Sequence, residues 1–129
     1  MKLFKKKDYW FIYYGNLREG ERYSKLLPKS YLSKKINLEG YKMYNLGISP
    51  GLIRNKSKSK NYIIAEINNY KLSIFKYYYL IILLGFIESV YLFRYKRTKI
   101  YLQNKKVNIY LYNWKIKNNN EIIDWKNIT

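Results

Sequence analysis

The sequence contains few residue types that could carry a proton in catalysis. It has no histidine and no cysteine in 129 residues, and eight of its side chains are acidic. This composition excludes thiolate nucleophiles, histidine bases, disulfides and zinc sites built from cysteine and histidine. A catalytic proton carrier must therefore be a carboxylate, a lysine or a tyrosine. Among the carboxylates, Glu88 directly follows the most apolar segment of the chain, Tyr77 to Ile87.

The environment of Glu88 can be inferred from that segment. Leu80, Leu83, Leu84 and Ile87 have the spacing of one helix face. Further isoleucines and tyrosines make the helix apolar around much of its circumference, which predicts that it is well buried. A carboxylate at its C-terminal end is disfavoured by the helix dipole and by apolar surroundings, and both effects raise its pKa. Such a local cost is typical of a functional residue, although an exposed helix end would remove it.

A second candidate for chemistry is the segment from Phe11 to Gly20. Its first residues are aromatic and β-branched, which predicts a strand, and the pattern breaks at Gly15-Asn16. A strand that ends in a tight glycine turn can present backbone N–H groups to a carboxylate or to a developing oxyanion. The alternative interpretation is an ordinary turn after an ordinary strand.

The remaining elements follow from periodicity and from turn residues. The predicted elements are a strand over 8–14, a short helix within 19–29 that ends near Pro28, strands over 30–40 and 41–47 that meet at Gly40, a type II turn at Pro50-Gly51, a short strand over 52–54, an exposed loop over 55–61, a strand over 62–67 that ends at Asn68-Asn69, a helix from Leu72, and strands over 95–102 and 107–114 joined by a turn at 103–106.

This mixture of elements has no regular alternation of strand and helix. It favours an α+β fold with a mostly antiparallel or mixed sheet, which can curl into a small barrel flanked by helices. We expect one domain over residues 1–129, with a core over about 9–114 and a polar C-terminal tail over 115–129. Trp114 and Trp125 are candidate anchors for the end of the chain.

The formal net charge of +18 would ordinarily indicate nucleic acid or another polyanion as a partner. Lysine, asparagine, isoleucine and tyrosine are all heavily used, however, and A/T-rich codons encode them. The lysines are also spread along the whole chain, so nucleic-acid binding is possible but not favoured. No apolar run is long enough to span a bilayer, and we expect a cytoplasmic protein without a membrane partner.

Several segments, taken in order, resemble the γ-glutamylcyclotransferase-like (AIG2-like) family. Residues 14–20, Tyr-Gly-Asn-Leu-Arg-Glu-Gly, are similar to its Tyr-Gly-x-Leu-Arg-x-Gly signature, and residues 40–52 are similar to its Gly-Tyr/Phe…Leu-Gly-x-x-Pro-Gly segment. Residues 65–67, Ala-Glu-Ile, resemble its Gly-Glu-Leu strand. Its Leu-Asp-x-x-Glu-Gly segment resembles residues 84–88, Leu-Gly-Phe-Ile-Glu. Its Tyr-x-Arg segment resembles Tyr-Lys-Arg at residues 95–97.

The chain departs from the family pattern at three positions. The aspartate before the catalytic glutamate is Gly85 here, the glycine after it is Ser89, and an asparagine that often follows the first motif is Tyr23. The glutamate itself is present as Glu88. The departures therefore affect the expected substrate more than the expected chemistry.

The resemblance implies a fold, a reaction and a set of site residues. It implies a small mixed barrel and the release of 5-oxoproline from a γ-glutamyl amine or a γ-glutamyl amino acid. Glu88 would be the general acid and base, and no metal or organic cofactor would be needed. The substrate-binding residues would be Tyr14, Gly15, Asn16, Leu17 and Tyr95.

Other polar residues near these motifs are expected to be structural. Arg18 is expected to brace the turn, Glu66 to be a structural residue of its strand, and Arg97 to form an ion pair or lie on the surface. The alternative for the whole chain is a non-catalytic binding module of the same fold, which would hold an anionic small molecule or nucleic acid.

Overall fold

The computed structural model describes residues 5–21, 23–47, 49–55, 62–87, 95–113 and 120–125. Strands and helices occupy most of these residues. In chain order they are β1 (Lys7–Tyr13), a 3₁₀ helix (Ser24–Leu26), β2 (Leu32–Glu39), β3 (Tyr41–Asn45), β4 (Pro50–Arg54), β5 (Tyr62–Leu72), α1 (Ile74–Ile87), β6 (Tyr95–Leu102), β7 (Lys105–Tyr112) and β8 (Glu121–Ile122).

The strands form two sheets. The larger sheet has five strands in the order β2-β5-β1-β7-β6, and the smaller has three in the order β4-β3-β8. All pairings are antiparallel except β1 with β7, which is parallel. The predicted mixed α+β architecture is therefore observed. The predicted barrel is not confirmed, because the described strands form two separate sheets.

Strand β1 is the centre of the larger sheet and has apolar side chains on both faces. Ile12 belongs to a buried cluster to which both sheets contribute, together with Met43, Leu52 and residues of β5 and β7. Phe11 and Tyr13 belong to a second buried cluster, which packs against α1. Because β1 is covered on both sides, its sequence is a continuous apolar run rather than a clean alternation.

The structure corrects two predicted boundaries. Pro50 was expected in a turn but is the first residue of β4, where it pairs with Asn45 at the end of β3. Proline is tolerated there because β4 is an edge strand of its sheet. Asn68 and Asn69 were expected to end a strand, but β5 continues through them to Leu72. Pairing with β1 and β2 on its two sides outweighs their weak strand preference.

Helix α1 is less buried than its composition predicts. Tyr77, Leu80, Leu84 and Gly85 are buried, but the other side of the helix is exposed. Large apolar side chains on that exposed side are those of Phe75, Tyr78, Tyr79, Ile82 and Phe86. Within the described part of the chain, no helix has the length and hydropathy needed to cross a membrane.

The smaller elements agree with prediction to differing degrees. The expected short helix is a single 3₁₀ turn, and Gly40, with φ +87°, separates β2 from β3. Gln103 and Asn104 have φ values of 50° and 64°, which is typical of a two-residue hairpin turn. Trp125 is buried, as expected of an anchor. Trp114 and most of the predicted 55–61 loop lie outside the described residues.

Candidate functional site

The sheet topology explains why segments distant in sequence meet at one end of β1. Strand β7 runs parallel to β1, so both strands have their C-terminal ends at the same end of the sheet. The β6–β7 hairpin then places Tyr95, the first residue of β6, opposite Tyr112 at the end of β7. The start of β6 is thereby brought to the end of the sheet where the chain leaves β1 and enters the turn over residues 14–17.

The turn after β1 is held by hydrogen bonds within the chain. The Arg18 N–H donates to the Gly15 carbonyl at 3.1 Å, and the Tyr23 N–H donates to the Asn16 carbonyl at 2.8 Å. The Tyr14 hydroxyl donates to the Tyr110 carbonyl on β7 at 2.6 Å. The turn therefore has a defined position relative to β7. Because the Arg18 N–H is used inside the turn, the candidates for ligand binding are the N–H groups before it.

Gly15 and Tyr95 meet at Pro50. A Cβ atom on Gly15 would lie 2.5 Å from Cγ and 2.7 Å from Cδ of Pro50, so the close approach requires glycine. The Tyr95 hydroxyl donates to the Pro50 carbonyl at 2.8 Å and lies 3.1 Å from the Ser49 Oγ. The Tyr95 side chain is 3% exposed and packs edge-on against Tyr112. Gly15 and Tyr95, two of the predicted substrate-binding residues, thus both contact Pro50.

A buried ion cluster braces the same turn. Arg18 is 2% exposed; its Nε donates to Glu66 Oε2 at 3.1 Å, and its guanidinium also donates to Asp124 Oδ1. The other Glu66 oxygen accepts from the Glu19 N–H at 2.9 Å. Buried charges are tolerated when they are paired and hydrogen-bonded in this way. Both Arg18 and Glu66 are therefore structural here, as the sequence predicts.

The C-terminal segment also reaches the turn. Trp125 Nε1 donates to Asn16 Oδ1 at 3.1 Å, and Asp124 completes the ion cluster around Arg18. Sequence reasoning predicted the tryptophan anchor but missed Asp124. A lone aspartate in a polar tail has no periodic or motif signal, and only its neighbour Trp125 indicates that this part of the chain is packed.

The predicted site residues have different environments. Four of them, Tyr14, Gly15, Asn16 and Leu17, form the turn, and Tyr95 is linked to Gly15 through Pro50. Their side chains are engaged: Tyr14 and Tyr95 donate to carbonyls, Asn16 accepts from a tryptophan, and Leu17 packs in the cluster against α1. Recognition at the turn would therefore use backbone groups more than these side chains.

Glu88, the predicted proton carrier, lies outside the described residues. Helix α1 ends at Ile87, which packs against the cluster that contains Leu17. Among the described residues, no group of three or more acidic side chains could hold a metal ion.

The alanine variant of Gly15 tests the contact with Pro50. We expect Gly15→Ala to lower the free energy of unfolding by about 1–3 kcal/mol, because the added methyl overlaps a proline ring that cannot turn away. Pro50→Ala removes the two overlapping atoms and leaves Cβ at 4.0 Å. Urea unfolding of the double variant should therefore recover part of the Gly15→Ala loss. A double variant as unstable as the sum of the two singles would contradict the contact.

Comparisons with known proteins bear on the family and the fold of this chain. Residues 11–127 match the family model described as gamma-glutamyl cyclotransferase, AIG2-like. A comparison with curated proteins returned no significant match.

Solved structures show the same fold. The chain is similar to an uncharacterized protein from Pyrococcus horikoshii, with a TM-score of 0.66, 16% identity, and coverage of 93% of this chain and 92% of that one. A protein specific to uropathogenic E. coli gives a TM-score of 0.61 and 17% identity, with 94% of each chain covered.

A third similar structure is much larger than this chain. The allophanate hydrolase of Kluyveromyces lactis gives a TM-score of 0.61 and 14% identity, and the match covers 90% of this chain but 19% of the hydrolase. At these identities the structural matches show the fold alone. The family match covers nearly the whole sequence, and the chain belongs to the gamma-glutamyl cyclotransferase, AIG2-like family.

Proposed function

We propose that this protein releases 5-oxoproline from a γ-glutamyl amine or a γ-glutamyl amino acid. The observation that carries the proposal is the meeting of Gly15, Pro50 and Tyr95 at the end of β1. These residues come from separate motifs of the family pattern, and membership in the family supports a cyclotransferase type of reaction.

The proposed reaction needs little beyond positioning and one proton carrier. The α-amine nitrogen attacks the γ-carbonyl carbon of the same glutamyl group, which forms the ring C–N bond. The tetrahedral intermediate then breaks its bond to the leaving nitrogen. One proton passes from the attacking nitrogen to the leaving nitrogen, and in this proposal Glu88 carries it. Because the attack is intramolecular, holding one folded conformer supplies much of the rate enhancement.

The turn over residues 14–17 would supply the electrostatic part of the site. N–H groups of Gly15, Asn16 or Leu17 would donate to the oxyanion of the intermediate or to the substrate carboxylate. Such donors are effective only when their position is fixed in advance. Here the Arg18 ion cluster, the Tyr14 hydrogen bond and the Pro50 contact all restrain the turn.

Direct product analysis tests the function. The protein should be incubated with γ-glutamyl-alanine, glutathione and γ-glutamyl-lysine, and 5-oxoproline measured by chromatography. We expect release from at least one of them. Two control substrates follow from the mechanism: N-acetyl-γ-glutamyl-alanine lacks the attacking amine, and α-glutamyl-alanine lacks the γ-amide. Neither should give 5-oxoproline above the level without protein.

The outcomes separate an enzyme from a binding module. Absence of 5-oxoproline with all three substrates, from protein shown to be folded by circular dichroism, would contradict the cyclotransferase proposal. Equal release from the acetylated control would contradict attack by the α-amine.

The exposed lysines on the two edge strands of the larger sheet do not favour the nucleic-acid alternative. Exposed lysines occur on β2, at Lys34 and Lys35, and on β6, at Lys96 and Lys99. These strands are the first and the last in the order of the five-stranded sheet, so the charges lie on opposite edges. A duplex or single strand is bound most effectively by cations gathered along one groove.

A further inference from the structure

A cavity of about 350 Å³ lies on the opposite side of β1 from Tyr14. Its floor is one face of the larger sheet, where Tyr13, Asn68, Tyr70 and Ser33 come from the adjacent strands β1, β5 and β2. Ser24 and Lys25 of the 3₁₀ helix and residues 27–30 also line it. Tyr13 belongs to the cluster against α1, whereas Tyr14 belongs to the cluster shared by both sheets. The cavity therefore lies on the other face of the sheet from the contact of Gly15 with Pro50, and Leu17 is the residue of the 14–17 turn that also lines it.

The floor of this cavity contains a hydrogen-bond donor whose capacity is unused. Asn68 is 5% exposed, and its Nδ2 is buried without a hydrogen-bond partner in the described part of the chain. An unsatisfied buried donor of this kind is destabilising. Asn68 is one of the residues that line the cavity. A ligand with an acceptor oxygen would satisfy this donor.

Side chains with hydroxyl groups line the cavity together with Asn68. The Tyr13 and Tyr70 hydroxyls are 3.0 Å apart, and burial raises the pKa of Tyr70, so this hydroxyl keeps its proton at neutral pH. Ser33 is the partner of Asn68 in the β2–β5 register and also lines the cavity. The polar part of the floor is thus rich in groups that can donate to an oxygen.

The charges and apolar groups around the cavity restrict the ligand further. Lys25 and Lys29 line it, and Glu19 is the single acidic residue among the described residues that line it. The charges of these three side chains sum to one positive charge, which suits a monoanion better than a dianion such as phosphate. Leu27 and Pro28 supply an apolar wall. Cavities of this size with a few convergent polar groups are typical of small-molecule sites.

We propose that this cavity binds a small monocarboxylate with an apolar body. The carboxylate accepts from the Asn68 amide and is paired with Lys25 and Lys29, and the apolar body packs on Leu27 and Pro28. Binding here does not require the cyclisation proposed above, so either can fail while the other holds.

Benzoate is a suitable probe because it has one carboxylate and an apolar ring. Titration of the ¹⁵N-labelled protein should give saturable shifts of the Asn68 side-chain amide and of backbone amides over residues 24–33. Benzamide, which has the same shape without the charge, should bind about tenfold more weakly, since a charged hydrogen bond is stronger than a neutral one. Inorganic phosphate should not displace benzoate.

Paired lysine variants supply the matched control. Lys25→Ala combined with Lys29→Ala should weaken benzoate binding about tenfold. Lys34→Ala combined with Lys96→Ala removes the same charge from positions that do not line the cavity and should leave the affinity unchanged.

The proposal also makes Asn68 a required donor. Asn68→Ala should weaken benzoate binding while leaving the protein folded, because it removes a buried donor that has no partner. Three results would overturn the proposal: no saturable shift with benzoate, equal affinity for benzamide, or equal loss in the two lysine pairs.

Discussion

Glu88→Gln should abolish most of the turnover, lowering kcat by about 10²–10⁴-fold, because a general acid and base contributes a rate factor of that order. Glutamine keeps the size of the side chain and one acceptor oxygen but cannot take a proton from the attacking amine. The Michaelis constant should change much less than kcat, since proton transfer occurs in the transition state. Rates of 5-oxoproline release over a range of substrate concentrations separate the two parameters.

A matched charge change shows whether the effect belongs to Glu88. Glu39 is exposed at the end of β2, on the edge of the larger sheet, and Glu39→Gln removes the same charge. It should leave kcat unchanged. Glu88→Asp keeps a carboxylate on a shorter side chain and should retain more activity than the glutamine variant. Turnover by Glu88→Gln equal to that of Glu39→Gln would exclude Glu88 as the proton carrier.

The parts of the fold that were predictable have local signals. The apolar run of β1, the helical spacing that became α1 and the hairpin of β6 and β7 were all evident in the sequence. Each depends on residues close together in the chain. Among the predicted site residues, Gly15 contacts Pro50, and the Tyr95 hydroxyl meets Ser49 and Pro50. That they form one site stays a prediction.

The features that sequence reasoning missed depend on distant partners. Pro50 and Gly51 are typical turn residues, and the sequence alone does not show that Pro50 pairs with β3 as part of an edge strand. Asparagine has a weak strand preference, so Asn68 and Asn69 predict the end of a strand. The pairing of β5 with β1 and β2, which extends it, involves strands that are remote in sequence. The exposed side of α1 was expected to be buried because composition does not reveal which face meets the sheet. Asp124 gave no signal, because its role exists only beside Arg18.

Arg18→Met should lower the free energy of unfolding by about 3–5 kcal/mol, because it leaves the partners of a buried cation without their charge. Glu66 Oε2 and Asp124 Oδ1 both accept from Arg18, and all three side chains are largely buried. The loss is a large part of the stability of a typical domain, which is about 5–15 kcal/mol. Urea unfolding followed by tryptophan fluorescence measures it. Arg18→Lys should also be destabilised, since an ammonium group cannot reproduce the two-sided geometry of a guanidinium.

Net charge requires its own control, because removing any cation from a chain of charge +18 reduces self-repulsion. Arg54 is exposed at the end of β4, and Arg54→Met should change stability by less than about 0.5 kcal/mol. A double-mutant cycle then isolates the pair of Arg18 with Asp124. Asp124→Asn removes the carboxylate left unpaired by Arg18→Met, so the double variant should be less destabilised than the sum of the singles. Additive losses, or a loss in Arg18→Met no larger than in Arg54→Met, would mean that the cluster does not hold the C-terminal segment against the turn.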